Sequence, residues 1–242
     1  REQGFDPAVY DFEGIVSLSN CSGSLLRFDD SLPTDRAMVL SNGHCIGVSM
    51  LPPGKALANV PANRSFGVLG SNASKVGSVA ADRLLYATLS QTDISLYRLT
   101  LTYAEIEERF HVRPLTLSRQ SPALDTSIQI LSGYWKRGFS CQVEYMTPVL
   151  QEGNWFYKDS LRYSSPGCEV MGGTSGSPVI EEGTRTIVAI NNTGNESGQK
   201  CKVNNPCEIN EHGEILAEKG YNYAQQTYWL YSCRNDEGQL DL

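Results

Sequence analysis

Gly172-Gly-Thr-Ser-Gly-Ser-Pro178, running into Val179-Ile180, sets a serine between glycines at the mouth of a short apolar run. The same texture recurs along the chain, in Gly14-Ile-Val-Ser-Leu18, Gly23-Ser-Leu-Leu26, Ala37-Met-Val-Leu40, Ser95-Leu-Tyr-Arg-Leu99, Ser127-Ile-Gln-Ile-Leu131 and Thr186-Ile-Val-Ala-Ile190. Each run has strand length and is rich in Val, Ile, Leu or Tyr, with turn residues at short intervals. That is the signature of an all-β sandwich or barrel, not of alternating strands and helices.

Ser175 also carries a chemical reading. A nucleophilic serine needs a tight backbone that presents its hydroxyl, and Gly173 and Gly176 permit such a turn and the close approach of another chain. The N–H groups of Gly173 and Ser175 would then form an oxyanion hole, in which one donor contributes about 2.7–4 kcal/mol to the transition state. The letters also spell a plain Gly/Ser turn before a strand. The Gly-x-Ser-x-Gly elbow of α/β enzymes is not matched, because Ser177 stands where its last glycine would be.

A serine attacks near neutral pH only if a base takes its proton, and histidine suits that task. The chain has three: His44, His111 and His212. His44 ends the apolar run Val39-Leu-Ser-Asn-Gly-His44 and precedes Cys45, whereas His111 and His212 sit in charged or polar settings and read as loop residues. Asp93 opens the run Asp93-Ile-Ser-Leu-Tyr-Arg-Leu99. A carboxylate there can accept the second imidazole N–H and fix its tautomer; the commoner use of such an Asp is to start a strand. Asp82 is a rival with poorer flanks. The order His, Asp, Ser is one of few in which this constellation occurs.

Composition narrows the partners. The chain has 242 residues, 40% hydrophobic and 19% charged, and a net charge of −7. It can bury a sizeable core and is not of disordered composition. The acidic balance argues against nucleic acid, which needs a basic stripe, and against an anionic membrane surface. No apolar run approaches bilayer length. Residue 1 is Arg and no leader is visible, so a processed form is expected. Seven cysteines suggest an oxidising compartment, and their odd number leaves at least one without a partner in the chain. No Cys-x-x-Cys occurs, so no metal or other cofactor is expected.

Two segments depart from the strand pattern. Thr102–Arg109 is acidic and rich in helix formers, with Thr102 placed to cap a short helix. Tyr223–Tyr231 fits a final short helix with Ala224, Tyr228 and Tyr231 on one face, or an aromatic strand. The stretch Ser118–Ser121 before Pro122 is the expected connection between halves.

Taken together these segments resemble the chymotrypsin/trypsin superfamily, over roughly Gly14 to Leu230. Cys21-Ser-Gly-Ser-Leu25 is similar to that family's Cys-Gly-Gly-Ser-Leu, Leu40-Ser-Asn-Gly-His44-Cys45 to Leu-Thr-Ala-Ala-His-Cys, Asp93-Ile-Ser-Leu96 to Asp-Ile-Ala-Leu, and Gly173-Thr-Ser-Gly-Ser-Pro178 to Gly-Asp-Ser-Gly-Gly-Pro. The resemblance implies two antiparallel six-stranded β-barrels, residues 1–117 with His44 and Asp93 and residues 118–242 with Ser175 and the S1 pocket. It implies a secreted, monomeric serine endopeptidase with polypeptide substrates and protein inhibitors as partners. It also implies a Cys21–Cys45 disulfide, and Cys141–Cys168 bracing the S1 walls. Cys201, Cys207 and Cys233 can pair in three ways, of which Cys201–Cys207 is preferred.

The zymogen switch of that family uses an Asp just before the nucleophile. Here Thr174 holds that position, so the switch is expected to be absent. The Gly-x-Ser-Gly-Ser-Pro form is closer to the bacterial secreted branch, which includes the glutamyl endopeptidases. The resemblance places Glu169 at the base of S1, favouring Arg or Lys at P1. Asn191 falls at or near the histidine by which glutamyl enzymes read acidic side chains, which weakens that alternative. Main-chain groups of Asn191, Asn192 and Thr193 would pair with an extended substrate as an added strand. A scaffold of this kind could also be a silent binding module, or an esterase.

Overall fold

The computed structural model describes residues 10–47, 49–236 and 240–241. The barrel boundaries expected from the sequence therefore begin and end on residues (1–9 and 242) outside the described ones.

Six strands make the first barrel: β1 (Ile15–Ser17), β2 (Ser22–Arg27), β3 (Arg36–Ser41), β4 (Ala56–Leu69), β5 (Lys75–Thr88) and β6 (Ile94–Thr102). They pair antiparallel in the ring β1-β4-β5-β6-β3-β2, and β2 returns to β1 with Val16 opposite Gly23. A short helix, α1 (Tyr103–Phe110), and the strand β7 (Leu115–Leu117) follow. Thr102 and Glu105 cap α1 reciprocally, and His111 ends it in the left-handed conformation.

The second barrel uses β8 (Ser127–Ser132), β9 (Arg137–Glu152), β10 (Trp155–Tyr163), β11 (Pro178–Glu181), β12 (Thr186–Gly194) and, after the two small strands β13 (Cys207–Ile209) and β14 (Ile215–Leu216), β15 (Asn222–Gln226). Its ring is β8-β9-β10-β15-β12-β11, closed by β11 on β8. β7 pairs in parallel with β2 of one barrel and β12 of the other. The chain thus has the all-β, chymotrypsin-like double barrel.

The strands are apolar on both faces for a reason. In β2, Leu25 enters the first barrel and Leu26 the layer between barrels; Val39 and Leu40 of β3, and Tyr97 and Leu96 of β6, divide the same way. A period of two sends neighbours to opposite faces, so a strand buried on both sides reads as a continuous apolar run. Leu115, Leu117, Ile180, Ile187 and Leu230 complete the middle layer. Each such side chain stabilises the fold by about 1.5–3 kcal/mol when fully buried, so the barrels, and the cleft between them, are held as one body.

The aromatic end of the chain does two things in turn. Asn222–Gln226 is the strand that closes the second barrel, with Tyr223 and Ala224 fully buried, and Tyr228–Cys233 is a 3-10 helix. The expected helix over Tyr223–Tyr231 is therefore confined to its second half, because ring closure claims the first. Disulfides join Cys21 to Cys45, Cys141 to Cys168 and Cys201 to Cys207; Cys233 is a free thiol. Among the described residues no helix is long and apolar enough to cross a membrane.

Candidate active site

β3 and β6 run antiparallel with Ser41 opposite Ser95, so their ends deliver the next residues, 42–44 and 93, to one spot. Local bonds then fix them. Asn42 Nδ2 donates to Asp93 O (2.8 Å), and Ser95 Oγ to Asn42 O (2.8 Å). The His44 N–H donates to Asp93 Oδ1 (3.0 Å), while His44 Nδ1 lies 2.6 Å from Asp93 Oδ2. Asp93 is 1% exposed and the imidazole 26%. Loss of water pulls the His44 basicity down, but the charge and hydrogen bond of Asp93, helped by Glu152, outweigh it and hold it above the usual histidine value.

The serine arrives from the other barrel, on the loop before β11. Ser22 N donates to Ser175 O (2.8 Å), and Ser22 Oγ to Gly173 O (3.0 Å). Gly176 is at φ +81°, where a Cβ would lie 2.2 Å from Ser22 O; no other residue allows this approach. Gly173, at φ +93°, is packed under the rings of Tyr134 and Trp135, and Trp135 Nε1 donates to Gly172 O (2.7 Å). Thr174 N, Gly176 N and Ser177 N all meet backbone acceptors. The N–H groups of Gly173 and Ser175 meet no acceptor among the described residues. Ser175 Oγ donates to Asn192 O at 3.3 Å and not to His44.

His44, Asp93 and Ser175 line one cleft of about 150 Å³, together with Glu152, Tyr157, Met171, Asn192 and Thr193. Asp82, the rival carboxylate, is elsewhere, in a two-pronged pair with Arg98 (2.9 Å each). His111 caps α1 and His212 lies in an exposed turn. His44 sits within 4.8 Å of both Cys21 and Cys45 sulfurs, but these are joined as a disulfide and offer no thiolate to a metal.

Two of the expected substrate-binding residues do not present themselves to the Ser175 cleft in the way read from the sequence. Glu169 is exposed and lines a neighbouring cleft with Lys219 and Gly220, not the one holding Ser175. Val170, Gly194 and Asn222 border both clefts, and Asn222 Nδ2 is fixed on Cys168 O (3.0 Å). Counting back from the serine finds a residue that lines the adjoining cleft and not the Ser175 cleft. Asn191 cannot offer its main chain to a substrate, because its N–H donates to Ser177 O and its carbonyl accepts from Gly176 N. Its amide is spent as well, on Tyr163 Oη (2.9 Å) and Thr174 O (3.1 Å). β11 pairs with β12 only as far as Pro178 opposite Ile190, so the edge beyond it runs from Asn192 through Thr193.

Glu152 is the cleft residue that sequence reading did not single out. It ends β9 beside a two-residue turn and looks there like any polar hairpin residue. Its place becomes visible only when the hairpin is seen to reach across: Trp155 Nε1 donates to Leu51 O (2.9 Å), Gln91 N to Phe156 O (3.0 Å) and Lys158 N to Gln91 O (2.8 Å).

The double barrel is the fold of the chymotrypsin-like serine proteases. No protein-family model matches the sequence, and no curated protein matches it. Among solved structures it is similar to the MamO protease domain from Magnetospirillum magneticum in its apo form, at 11% identity and a TM-score of 0.56, over 94% of this chain and 98% of that one. It is similar to HL collagenase at 13% identity and a TM-score of 0.53, over 92% and 93% of the two chains. A thermostable serine protease, AL20, from an extremophilic microorganism has 12% identity and a TM-score of 0.50, over 91% and 93%.

Proposed function

We propose that this chain is a serine endopeptidase acting through His44, Asp93 and Ser175. The observation that carries the reading is the His44–Asp93 pair at 2.6 Å, buried on the Asp side, lining one cleft with a serine whose loop leaves the Gly173 and Ser175 N–H groups unpartnered. Residues 1–117 supply the base and its orienting carboxylate, and residues 118–242 the nucleophile.

For attack the Ser175 hydroxyl must leave Asn192 O for the imidazole; hydrogen bonds of this kind often tighten only when substrate is present. His44 then takes the hydroxyl proton as Ser175 Oγ bonds to the peptide carbonyl carbon. The carbonyl oxygen gains the negative charge and receives the two N–H groups. Collapse breaks the C–N bond while His44 returns the proton to the leaving amine. Water, deprotonated by His44, releases the acyl group and restores Ser175. Asp93 holds the tautomer throughout. Polypeptide binds as an added strand on the Asn192–Thr193 edge. Three disulfides suit an extracellular site of action.

One observation favours a second reading, a binding module that does not cleave: Ser175 Oγ is bonded to Asn192 O. Incubation of a denatured protein mixture, with new termini mapped by mass spectrometry, separates the two. The endopeptidase reading expects defined cleavage sites that vanish for Ser175→Ala; no cleavage by the unmodified protein favours the module.

A further inference from the structure

Glu152 is 6% exposed and faces the same cleft as His44 and Ser175. Burying a carboxylate is costly unless it is paired, and buried charges are normally met by an opposite charge. Glu152 has no ion pair among the described residues. Oε1 accepts from Asn204 N (2.8 Å) and Thr193 Oγ1 (3.0 Å), and Oε2 has no hydrogen-bond partner among the described residues. Loss of water makes Glu152 a weaker acid than an ordinary glutamate, an effect that the Asn204 and Thr193 donors and the nearby His44 offset only in part.

The surroundings hold the carboxylate in place. The β9–β10 hairpin is fastened to the first barrel at Leu51 and Gln91, and Gly153 N donates to Cys201 O (3.1 Å), inside the small Cys201–Cys207 loop that also brings Asn204. Beside it, Asn192 is 3% exposed with both amide atoms unpartnered, although it too lines the cleft. An unpaired buried amide is costly to the fold. The cleft therefore presents a preset carboxylate and an unsatisfied amide at the open edge of β12. The whole cleft has a volume of about 150 Å³ and is open to solvent.

We propose that Glu152 is the acidic end of a side-chain subsite beside His44, and that the polypeptides this cleft takes carry a lysine or arginine at that position. A basic side chain supplies Oε2 with a counter-charge in direct contact, which His44, acting on Glu152 without an ion pair, does not. Glu152 is thus a specificity residue distinct from Glu169, which faces the neighbouring cleft. The inference rests on the cleft being a polypeptide site, but not on its cleaving what it binds.

Peptide binding to the Ser175→Ala protein tests it without requiring turnover. Fluorescein-labelled positional peptide sets, each with one position fixed as Arg, Lys, norleucine or Glu, are titrated by anisotropy. Charge-assisted hydrogen bonds of this kind correspond to about ten- to hundred-fold in affinity. At one position Arg and Lys should bind at least tenfold tighter than norleucine, and Glu152→Gln, which keeps the Asn204 and Thr193 bonds, should bring that ratio near one. Glu196→Gln, at the exposed rim of the same cleft, should leave it intact. A ratio near one at every position in the Ser175→Ala protein overturns the proposal even if the Glu152 variant does not fold. So does a basic preference that survives Glu152→Gln or is lost with Glu196→Gln. Basic-selective binding by a protein that cleaves nothing would sink the hydrolytic reading and keep the subsite.

Discussion

The N–H of Ser22 donates to the carbonyl oxygen of Ser175 at 2.8 Å, and this bond crosses from the first barrel to the second. The residue before Ser22 is Cys21, and its disulfide partner, Cys45, follows His44. One short covalent and hydrogen-bonded path therefore links base and nucleophile, although they lie far apart in the chain. Ser41 Oγ and Ser132 Oγ add bonds to Ser22 at 2.8 and 3.0 Å, so the path is braced from both barrels.

Opening that path should affect stability and chemistry together. The double variant Cys21→Ala/Cys45→Ala removes a crosslink spanning 24 residues, which should cost about 2–4 kcal/mol. Urea unfolding measures that loss. In native buffer the variant should also cleave more slowly, because Ser22 and His44 lose their common anchor. A destabilised variant with undiminished cleavage would show that the Ser22–Ser175 bond positions the loop unaided.

Asp93 and His44 set the pH dependence. Asp93 holds the imidazole basicity above 6.5, and only the neutral imidazole can accept the serine proton. The acid limb of kcat/KM should therefore have its midpoint above 6.5, with activity rising as pH increases through it. Asp93→Asn keeps the shape, loses the charge and presents the wrong tautomer, and should lower kcat by about 10⁴-fold. A limb near pH 4, or a small effect of Asp93→Asn, would assign the base to another residue.

Much of this was legible in single residues. His44, Asp93 and Ser175 announce themselves because each sits at the end of an apolar run, where a strand delivers a side chain to an edge. Thr102 reads as a helix cap and is one; that Glu105 returns the bond is seen only in the structure. Glu152 and Glu169 were not legible, for one shared reason: position in the chain does not tell which wall of a cleft a carboxylate faces. Glu169 lines the adjoining cleft, and the hairpin contacts at Leu51 and Gln91 bring Glu152 in. Both depend on long-range packing. The end of the chain behaves likewise, since closure of the second barrel, not propensity, makes Tyr223 a strand residue.

Glu152 should weaken the fold at neutral pH. Burial raises its folded-state value above the ordinary 4.5, so the folded protein holds that proton to higher pH than the unfolded chain. Stability contributed by this group is lost as pH rises through the raised value, and below 4.5 both states are protonated. Glu152→Gln should therefore raise the thermal midpoint at pH 8 and leave it unchanged near pH 4. An equal or lower midpoint at pH 8 would mean that the carboxylate is satisfied within the protein.

The central claim is that His44 activates Ser175, and active-site phosphonylation tests it most directly. A fluorophosphonate should attach once, with the adduct mapped to Ser175. Ser175→Ala should abolish labelling and His44→Ala should slow it at least a hundred-fold, on the order of a general-base contribution. Absence of an adduct on the folded protein, or undiminished labelling of either variant, would contradict the account.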